Sequence, residues 1–290
     1  MKKPLFTGVC TALVTPFLDH QVNYPMLQQL IRRQINAGIE AVVVCGTTGE
    51  SPTLTDREKL DIFSCAKECA GDRLKIIAGT GSNDTIHTIA LSKAAEGIGV
   101  DGLLIVTPYY NKPTPYGLVA HYEAIAKAID IPVILYNVPG RTGVDIPISV
   151  YQKLCPIPNI AGVKEASNDI TKITKIFAAC GYDLPVWSGN DEMITPTISL
   201  GASGIISVLS NLFPEETLAL AHSALAGDYD SAASLQIHLQ PLIEALFSES
   251  NPIPVKEAMK LIGYDCGSCR LPLSDINQEN RKKLERLLKK

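Results

Sequence analysis

The chain contains eight short runs of apolar residues, separated by longer segments in which apolar and polar residues are mixed. The runs are rich in Val, Ile, Leu and Ala and show no polar alternation, which is typical of parallel strands buried on both faces. We therefore predict eight strands, at residues 9–14, 41–45, 75–78, 102–106, 132–136, 160–164, 185–188 and 204–207.

The segments between these runs have apolar residues three and four positions apart, which indicates amphipathic helices. One such stripe is formed by Leu27, Leu30, Ile31 and Ile35, and another by Leu118, Tyr122, Ile125, Ala126 and Ile129. The alternation of strand and helix excludes an antiparallel sandwich and favours an α/β fold, a (β/α)8 TIM barrel. A doubly wound sheet is the weaker alternative.

Local signals mark several helix ends. Thr55 followed three residues later by Glu58 forms a capping box, which predicts that a helix begins there. Gly38, Gly71 and Gly97 stand where the helical spacing stops, and glycine is the usual residue just past a helix end. We therefore expect helices to end next to each of these three glycines.

After the eighth predicted strand the chain continues with helical patterns near residues 214–226, 229–247, 255–262 and 276–288. No tract rich in Gly or Ser separates them from the preceding repeats. We predict a catalytic barrel over residues 1–226 and a C-terminal helical extension over residues 227–290.

Composition and charge narrow the classes of function. The chain of 290 residues is 46% hydrophobic, and its net charge of -4 leaves no basic surface for nucleic acid. No apolar run approaches the ~18 residues that a membrane span needs. Pro4 and Gly8 interrupt the apolar segment near the start, so we interpret it as a strand and not as a signal peptide. We expect a soluble, cytoplasmic protein that acts on a small molecule.

The eight cysteines lie mostly in apolar segments, which fits the reducing cytosol. Cys266 and Cys269 form a Cys-x-x-Cys pair that could be half a zinc site or a redox pair, but no second pair or nearby His completes it. We expect an ordinary surface loop there. No histidine follows a predicted strand and no phosphate or dinucleotide fingerprint is present, so neither a metal nor an organic cofactor is expected.

In a barrel of this kind the active site lies at the C-terminal ends of the strands. Lys164 is the only lysine at such an end inside a predicted strand. Burial there disfavours the charged ammonium and supplies the neutral amine that attacks a ketone. A lysine paired with Glu165 or another carboxylate fits the pattern equally well.

Hydroxyl groups follow other strands at the same end. Tyr136, Tyr110 and Thr47 could form a relay for protons, although tyrosines at such positions usually pack in the core or at the rim. Thr47 and Thr48 lie among glycines and could bind a carboxylate, or form a simple turn. Arg141, in a Pro-Gly-Arg-Thr-Gly loop, could bind a carboxylate with both guanidinium nitrogens or be a solvated loop residue.

Several blocks in this order resemble the pyruvate-dependent Schiff-base aldolase and lyase superfamily, and within it the dihydrodipicolinate synthase family. The resemblance covers residues 5–288 and rests on blocks at residues 12–17, 46–51, 78–81, 107–111, 135–143, 162–166 and 251–256. It implies condensation of pyruvate with L-aspartate 4-semialdehyde, in the diaminopimelate route to lysine, without metal or cofactor. It also implies a homotetramer built from two dimers.

The same resemblance implies roles for particular residues. Lys164 forms the Schiff base, and Tyr136, Thr47 and Tyr110 form the proton relay. Tyr110 reaches into the site of a neighbouring subunit.

Further residues are implied to bind the substrates. Thr48 holds the pyruvate carboxylate together with Thr47, and Arg141 orients the carboxylate of the semialdehyde. Backbone groups of Gly189 and Ile206 line the pocket.

Regulated members of the family bind lysine at the dimer interface, at positions that match Ser51, Pro52, Asp56, Lys59, Asn83, His87 and Tyr109. Strongly inhibited bacterial members carry histidine where Lys59 stands and glutamate where His87 stands. We therefore predict weak or absent inhibition by lysine.

Two rival functions remain at this point. N-acetylneuraminate lyase and 2-keto-3-deoxygluconate aldolase share the lysine and the tyrosine but use polyhydroxylated substrates, for which Arg141 is not expected. A non-catalytic barrel that only binds a keto acid is the other, since a fold alone does not specify activity.

Overall fold

The computed structural model describes residues 2–289 of the chain. Eight parallel strands form a closed barrel, which confirms the predicted fold class and all eight predicted strands to within two residues at each end. Met1 and Lys290, at the ends of the two predicted regions, lie outside the described residues. The barrel strands are β1 (Gly8–Ala12), β2 (Ala41–Val44), β3 (Lys75–Gly79), β4 (Gly102–Val106), β5 (Val133–Asn137), β6 (Ile160–Glu165), β7 (Val186–Ser188) and β8 (Gly204–Ser207).

Helices surround the barrel and continue beyond it. Within residues 2–289 no helix is both long and apolar enough to span a lipid bilayer. The helices are α1 (Tyr24–Ala37), α2 (Asp56–Ala70), α3 (Thr85–Ile98), α4 (Pro115–Ala128), α5 (Pro139–Thr142), α6 (Ile148–Leu154), α7 (Ile170–Cys180), α8 (Ile194–Ser199), α9 (Pro214–Leu225), α10 (Tyr229–Leu246), α11 (Ile253–Leu261) and α12 (Gln278–Leu288).

The barrel closes where β1 pairs with β8, and two glycines face each other at this seam. Gly8 is in register with Gly204, which has φ of 144°. A Cβ atom at Gly204 would lie 1.9 Å from the carbonyl oxygen of Gly8. Since that separation is far below any van der Waals contact, only glycine allows the first and last strands to come together here.

The core has two layers. Side chains inside the barrel form one cluster, and the layer between strands and helices forms a second, larger one. At the base of the inner cluster Phe6 stacks on Trp187 with ring centroids 4.9 Å apart, and the Trp187 indole donates a hydrogen bond to the Phe6 carbonyl. The lumen is therefore filled with side chains, as in other barrels of this type.

Most of the predicted helix ends are confirmed. The Thr55 and Glu58 capping box starts α2, and Gly38 and Gly71 lie directly after α1 and α2. The prediction for Gly97 was wrong, because α3 continues through it and ends before Gly99, which has φ of 87°. An interior glycine weakens a helix only slightly, and the left-handed residue that ends it stands two positions later.

A two-stranded antiparallel hairpin after β1 was not predicted. It pairs Phe17–Leu18 with Gln21–Val22. Its turn residues Asp19 and His20 have φ of 50° and 64°, the combination that a tight hairpin turn requires. The strands are too short to give a hydrophobic pattern, and the turn lacks the usual glycine.

The C-terminal helices pack back onto the barrel. Lys256 in α11 forms an ion pair with Glu50, after β2, at 2.9 Å, and both side chains are buried. The surface-loop interpretation of Cys266 was wrong, because this residue is fully buried in the outer core. Its thiol fills apolar space, as buried cysteines commonly do.

Candidate active site

A cavity of about 690 Å³ opens at the C-terminal ends of the strands. This volume lies within the usual range for small-molecule sites. Thr47, Tyr136 and Arg141 line it, so residues that follow β2 and that end or follow β5 meet in one space. The parallel course of the strands produces this meeting, since all their C-terminal ends lie at one end of the barrel.

Lys164 lies next to this cavity against Tyr136. The two residues are direct neighbours in register on β6 and β5. The Lys164 ammonium nitrogen is 4.5 Å from the centroid of the Tyr136 ring, and both side chains are almost fully buried, at 5% and 6% exposure. The amine and the aromatic residue are therefore held together inside the barrel.

Glu165 faces the other way. Its carboxylate accepts hydrogen bonds from the Asn137 amide and the Tyr151 hydroxyl, on the outer side of the strands. Burial raises the pKa of the Glu165 carboxyl, and the Lys172 charge opposes that rise. Among the described residues Lys164 has no carboxylate within 4.0 Å, so the alternative of a Lys164 ion pair with Glu165 is wrong. Successive residues of a strand point to opposite faces.

The loop after β2 has an unusual backbone. Cys45 and Glu50, which flank Gly46 to Gly49, have φ of 54° and 56° in the left-handed region. Non-glycine residues hold such angles only where their surroundings fix them. The side chain of Glu50, at one end of this loop, is held by a hydrogen bond from the Arg270 amide and by its buried ion pair with Lys256. Loss of either partner would leave an unpaired buried charge, which costs about 3–5 kcal/mol.

Asn251, just before α11, connects two predicted substrate-binding residues. Its side-chain amide donates to the Thr48 hydroxyl at 2.9 Å, and its carbonyl accepts from the Arg141 guanidinium at 3.3 Å. The Asn251 side-chain oxygen is buried and has no hydrogen-bond partner. The hydroxyl of Thr48, which is also buried, thus accepts from Asn251 and keeps its own proton for another acceptor.

Five predicted site residues are not on the cavity wall: Lys164 and Thr48, which are buried beside it, and Tyr110, Gly189 and Ile206. Tyr110 has φ of 68° and is 92% exposed. Ile206 belongs to the cluster inside the barrel together with Tyr136, and Gly189 packs so closely on Ala166 that a Cβ atom would lie 2.5 Å from its methyl group. The Gly189 amide donates to the Glu165 carbonyl.

The residues of the predicted lysine site line the same cavity. Ser51, Lys59, Asn83, His87 and Tyr109 are all on its wall. A ring nitrogen of His87 lies 2.8 Å from a carboxylate oxygen of Asp56, within hydrogen-bond distance. Lys59 is 8% exposed. This part of the cavity therefore already contains a cationic side chain and an engaged carboxylate.

Asp191 is a buried carboxylate that the sequence interpretation did not use. It follows β7, and one of its oxygens accepts from the backbone amides of Val208 and Leu209 at 3.0 Å each. Its other oxygen is buried without a partner. Burial raises the pKa of Asp191, whereas a hydrogen bond from Ser207 and the charge of Lys164 oppose that rise. Its position in the short loop that follows the end of β7 at Ser188 was the signal that could have identified it.

All eight cysteines are free thiols. In residues 2–289 no group of three or more His, Cys, Asp or Glu side chains is arranged to hold a metal ion.

Comparison with known proteins places this geometry among characterised relatives. Residues 5–290 match the Dihydrodipicolinate synthetase family. The chain is 46% identical over 289 residues to the 4-hydroxy-tetrahydrodipicolinate synthase of Acetivibrio thermocellus, covering 100% of this chain and 98% of the relative.

Solved structures of dihydrodipicolinate synthases have the same fold as this chain. The dihydrodipicolinate synthase of Acinetobacter baumannii complexed with pyruvate has a TM-score of 0.96 and 42% identity, with 98% of each chain covered. The enzyme of Cyanidioschyzon merolae with lysine bound has a TM-score of 0.95 and 39% identity, covering 99% of this chain and 98% of that chain.

Proposed function

The chain belongs to the dihydrodipicolinate synthetase family, and from this premise we propose that it condenses pyruvate with L-aspartate 4-semialdehyde through a Schiff base on Lys164. This is the reaction of a 4-hydroxy-tetrahydrodipicolinate synthase, a carbon-oxygen lyase of the diaminopimelate route to lysine. The assignment of the amine rests on the position of Lys164 near the C-terminal end of β6, where its side-chain nitrogen lies inside the barrel, 4.5 Å from the Tyr136 ring centroid.

The reaction begins with the Lys164 amine, which attacks the ketone carbon of pyruvate and loses water to form an iminium. Loss of a methyl proton gives an enamine, whose carbon attacks the aldehyde of the semialdehyde and leaves an alkoxide that takes up a proton. The amino group of the semialdehyde then attacks the iminium carbon and displaces the lysine. The cyclic product keeps all carbon atoms of both substrates, with the two carboxylates as substituents outside the ring, and one water is released overall.

Protons move in these steps through neighbouring hydroxyl groups. Tyr136 is the natural partner, because its side chain is buried beside the amine. Thr47 lines the same cavity and can accept from or donate to the tyrosine. Tyr110 completes the proposed relay from a neighbouring subunit.

The carboxylates of the two substrates require separate binding groups. Thr47 and Thr48 are proposed to hold the pyruvate carboxylate, with backbone groups of Gly189 and Ile206 near the adduct. Arg141 is proposed to bind the carboxylate of the semialdehyde, since it lines the cavity and its guanidinium can engage both oxygens. This specificity distinguishes the chain from relatives that use polyhydroxylated acceptors.

No metal or organic cofactor is part of the proposal, because the iminium supplies the electron sink that the condensation needs. A cytoplasmic location is also proposed, since eight free thiols are typical of a reducing compartment.

The active unit is proposed to be a homotetramer built from two dimers. Tyr110 is 92% exposed and has no place in the cavity of its own chain, which supports its action in a partner's site. The change Tyr110→Phe should lower kcat, and dilution to monomers should inactivate the unaltered protein. Tyr116→Phe, at another exposed tyrosine (81%), is the matched control and should change neither activity nor assembly. A fully active monomer would contradict the shared site.

The central test traps the Schiff base. Pyruvate and borohydride should modify Lys164 covalently, as detected by mass analysis of its peptide, while the buried Lys172 and Lys256 stay unmodified. Lys164→Arg should abolish the adduct. Addition of L-aspartate 4-semialdehyde should yield product in a coupled assay, and N-acetylmannosamine or glyceraldehyde should not. An active preparation without the Lys164 adduct would overturn the mechanism.

A further inference from the structure

Two pairs of residues stand at the same height on β5 and β6. Tyr136 is in register with Lys164, and the next residues, Asn137 and Glu165, are in register with each other. Because side chains alternate along a strand, the first pair points into the barrel and the second points out toward the helices. Any shift between the two strands would move both pairs together.

The outer pair is joined by direct hydrogen bonds. The Asn137 side-chain amide donates to both carboxylate oxygens of Glu165, at 2.9 and 3.1 Å. It also donates to Asp145 at 2.9 Å, and its side-chain oxygen accepts from the backbone amide of Ile146 at 3.0 Å. Asn137 is fully buried and Glu165 is 2% exposed, so water does not compete for these bonds.

Other elements fix Glu165 from the far side. The Tyr151 hydroxyl of α6 donates to it at 3.0 Å and the backbone amide of Ser167 donates at 2.9 Å. Lys172 of α7 pairs with Asp145 beside it. The Glu165 carboxylate therefore has a defined position, held by hydrogen bonds from Asn137, Tyr151 and Ser167.

The strand ladder below this pair is irregular. Val133 pairs with Ile160, but Ile134 pairs with Gly162, so one residue of β6 bulges out of the ladder. A bulge leaves one residue unpaired, disrupts the ladder locally and increases the twist of the strand. The side-chain link between Asn137 and Glu165 lies above this bulge, at the end of the strands next to the active site.

We propose that Asn137 and Glu165 are positioning residues that fix the height and separation of Tyr136 and Lys164 in the barrel. The inference rests on the proposed function, because it assumes that Lys164 and Tyr136 react with substrate. Neither Asn137 nor Glu165 touches the substrate. Their hydrogen bonds act through the strands, and a displacement of about 1 Å in such a site costs on the order of 100-fold in rate.

The test compares Glu165→Gln, Glu165→Ala and Tyr151→Phe in the full-length chain. Glutamine keeps one oxygen to accept from Asn137, whereas alanine keeps none, and Tyr151→Phe removes only one outer hydrogen bond. The matched control is Gln34→Met, which breaks a buried hydrogen-bond network behind β1, with Thr11 and Ser210, on the outer face of the barrel. All variants are compared by thermal unfolding midpoint.

The decisive readout is the rate at which Lys164 becomes covalently labelled when pyruvate and borohydride are added to the protein. We expect this rate to fall about 10- to 100-fold in Glu165→Ala, less in Glu165→Gln and least in Tyr151→Phe. Gln34→Met should lose stability but label at the rate of the unaltered protein, and KM for pyruvate should change less than about threefold in every variant because the carboxylate-binding groups are untouched.

The outcomes separate the two proposals. If the unaltered protein forms no adduct, the proposed function fails. If it forms the adduct and both Glu165 variants label at the same rate as Gln34→Met, the positioning role is refuted. If Glu165→Ala does not fold, the comparison of Glu165→Gln and Tyr151→Phe with Gln34→Met decides in the same way.

Discussion

The side-chain amide of Asn251 donates a hydrogen bond to the Thr48 hydroxyl, with 2.9 Å between nitrogen and oxygen. A hydroxyl that accepts from an amide keeps its single proton for a substrate carboxylate. Asn251→Ala should therefore raise KM for pyruvate roughly 5- to 10-fold, the effect of one lost hydrogen bond.

Asn251→Asp should have a larger effect on KM for pyruvate. The new carboxylate accepts the hydrogen bond that the Thr48 hydroxyl would donate to pyruvate, and its negative charge repels the pyruvate carboxylate. Steady-state kinetics should show a larger KM for the Asp variant than for the Ala variant. Asn159→Ala is the control, because it removes only the hydrogen bonds that the Asn159 side-chain amide donates to the Ala126 and Ile129 carbonyls, far from the cavity. A lower KM for Asp than for Ala would contradict this role.

Arg141 is expected to act on the second substrate only. Arg141→Ala should raise KM for L-aspartate 4-semialdehyde by roughly 10- to 150-fold, which corresponds to a charge-assisted hydrogen bond of about 1.5–3 kcal/mol. Formation of the pyruvate adduct should change little. Arg57→Ala, at a solvent-exposed arginine, is the control. Equal loss of both steps would show that Arg141 serves the whole site.

Inhibition by lysine should be weak or absent. The Asp56 carboxylate, which could bind a lysine ammonium, is already paired with His87, and Lys59 adds a positive charge on the same wall. Without a free carboxylate, binding should weaken by roughly 10- to 150-fold relative to a site with glutamate in place of His87.

Initial rates against increasing lysine, at fixed ionic strength and subsaturating pyruvate, measure this. The double variant Lys59→His with His87→Glu should gain inhibition. Strong inhibition of the unaltered protein at submillimolar lysine would overturn the expectation.

Stability in acid should depend on Glu58 and Arg270. The Arg270 guanidinium hydrogen-bonded to Glu58 holds the pKa of that carboxyl at about 2, below its usual 4.5. The folded protein binds this proton more weakly than the unfolded chain does, so the charged Glu58 stabilises the fold at pH values above the unfolded pKa of 4.5. This stabilisation is lost as the pH falls from 4.5 toward 2.

Glu58→Gln should therefore flatten the loss of unfolding free energy over this pH range, measured by urea denaturation at several pH values. Asp61→Asn, in an exposed pair with Arg57, is the control and should leave the slope unchanged. An unchanged slope in Glu58→Gln would show that other carboxylates control acid unfolding.

Local patterns predicted the barrel and the centre of the site well, for a physical reason. A buried parallel strand leaves an apolar run in the sequence, and the residue after it always lies at the same end of the barrel. Lys164, Tyr136 and Thr47 could thus be grouped without a structure. Glu165 could not be assigned to the outer face, because the predicted strand ended at Lys164 and side chains alternate between faces only within a strand.

Contacts between distant segments were beyond such patterns. Asn251 lies 203 positions from Thr48, and Lys256 lies 206 positions from Glu50. Periodicity reports on one element at a time, so it contains no information about which loop a C-terminal helix will cover. These long-range contacts hold Thr48 and Glu50 in the loop after β2, and only the structure could identify them.

The seam between Gly8 and Gly204 also has a consequence for synthesis of the protein. β1 needs both β2 and β8 as neighbours, but β8 follows it by about 200 residues. At roughly 5–20 residues per second, a ribosome takes about 10–40 s to deliver the last strand. During that interval the emerging sheet has an apolar strand with one open edge, which is a template for aggregation. The yield of this protein in a cell will therefore depend on translation speed and on chaperones that cover nascent strands, and not only on the stability of the finished barrel.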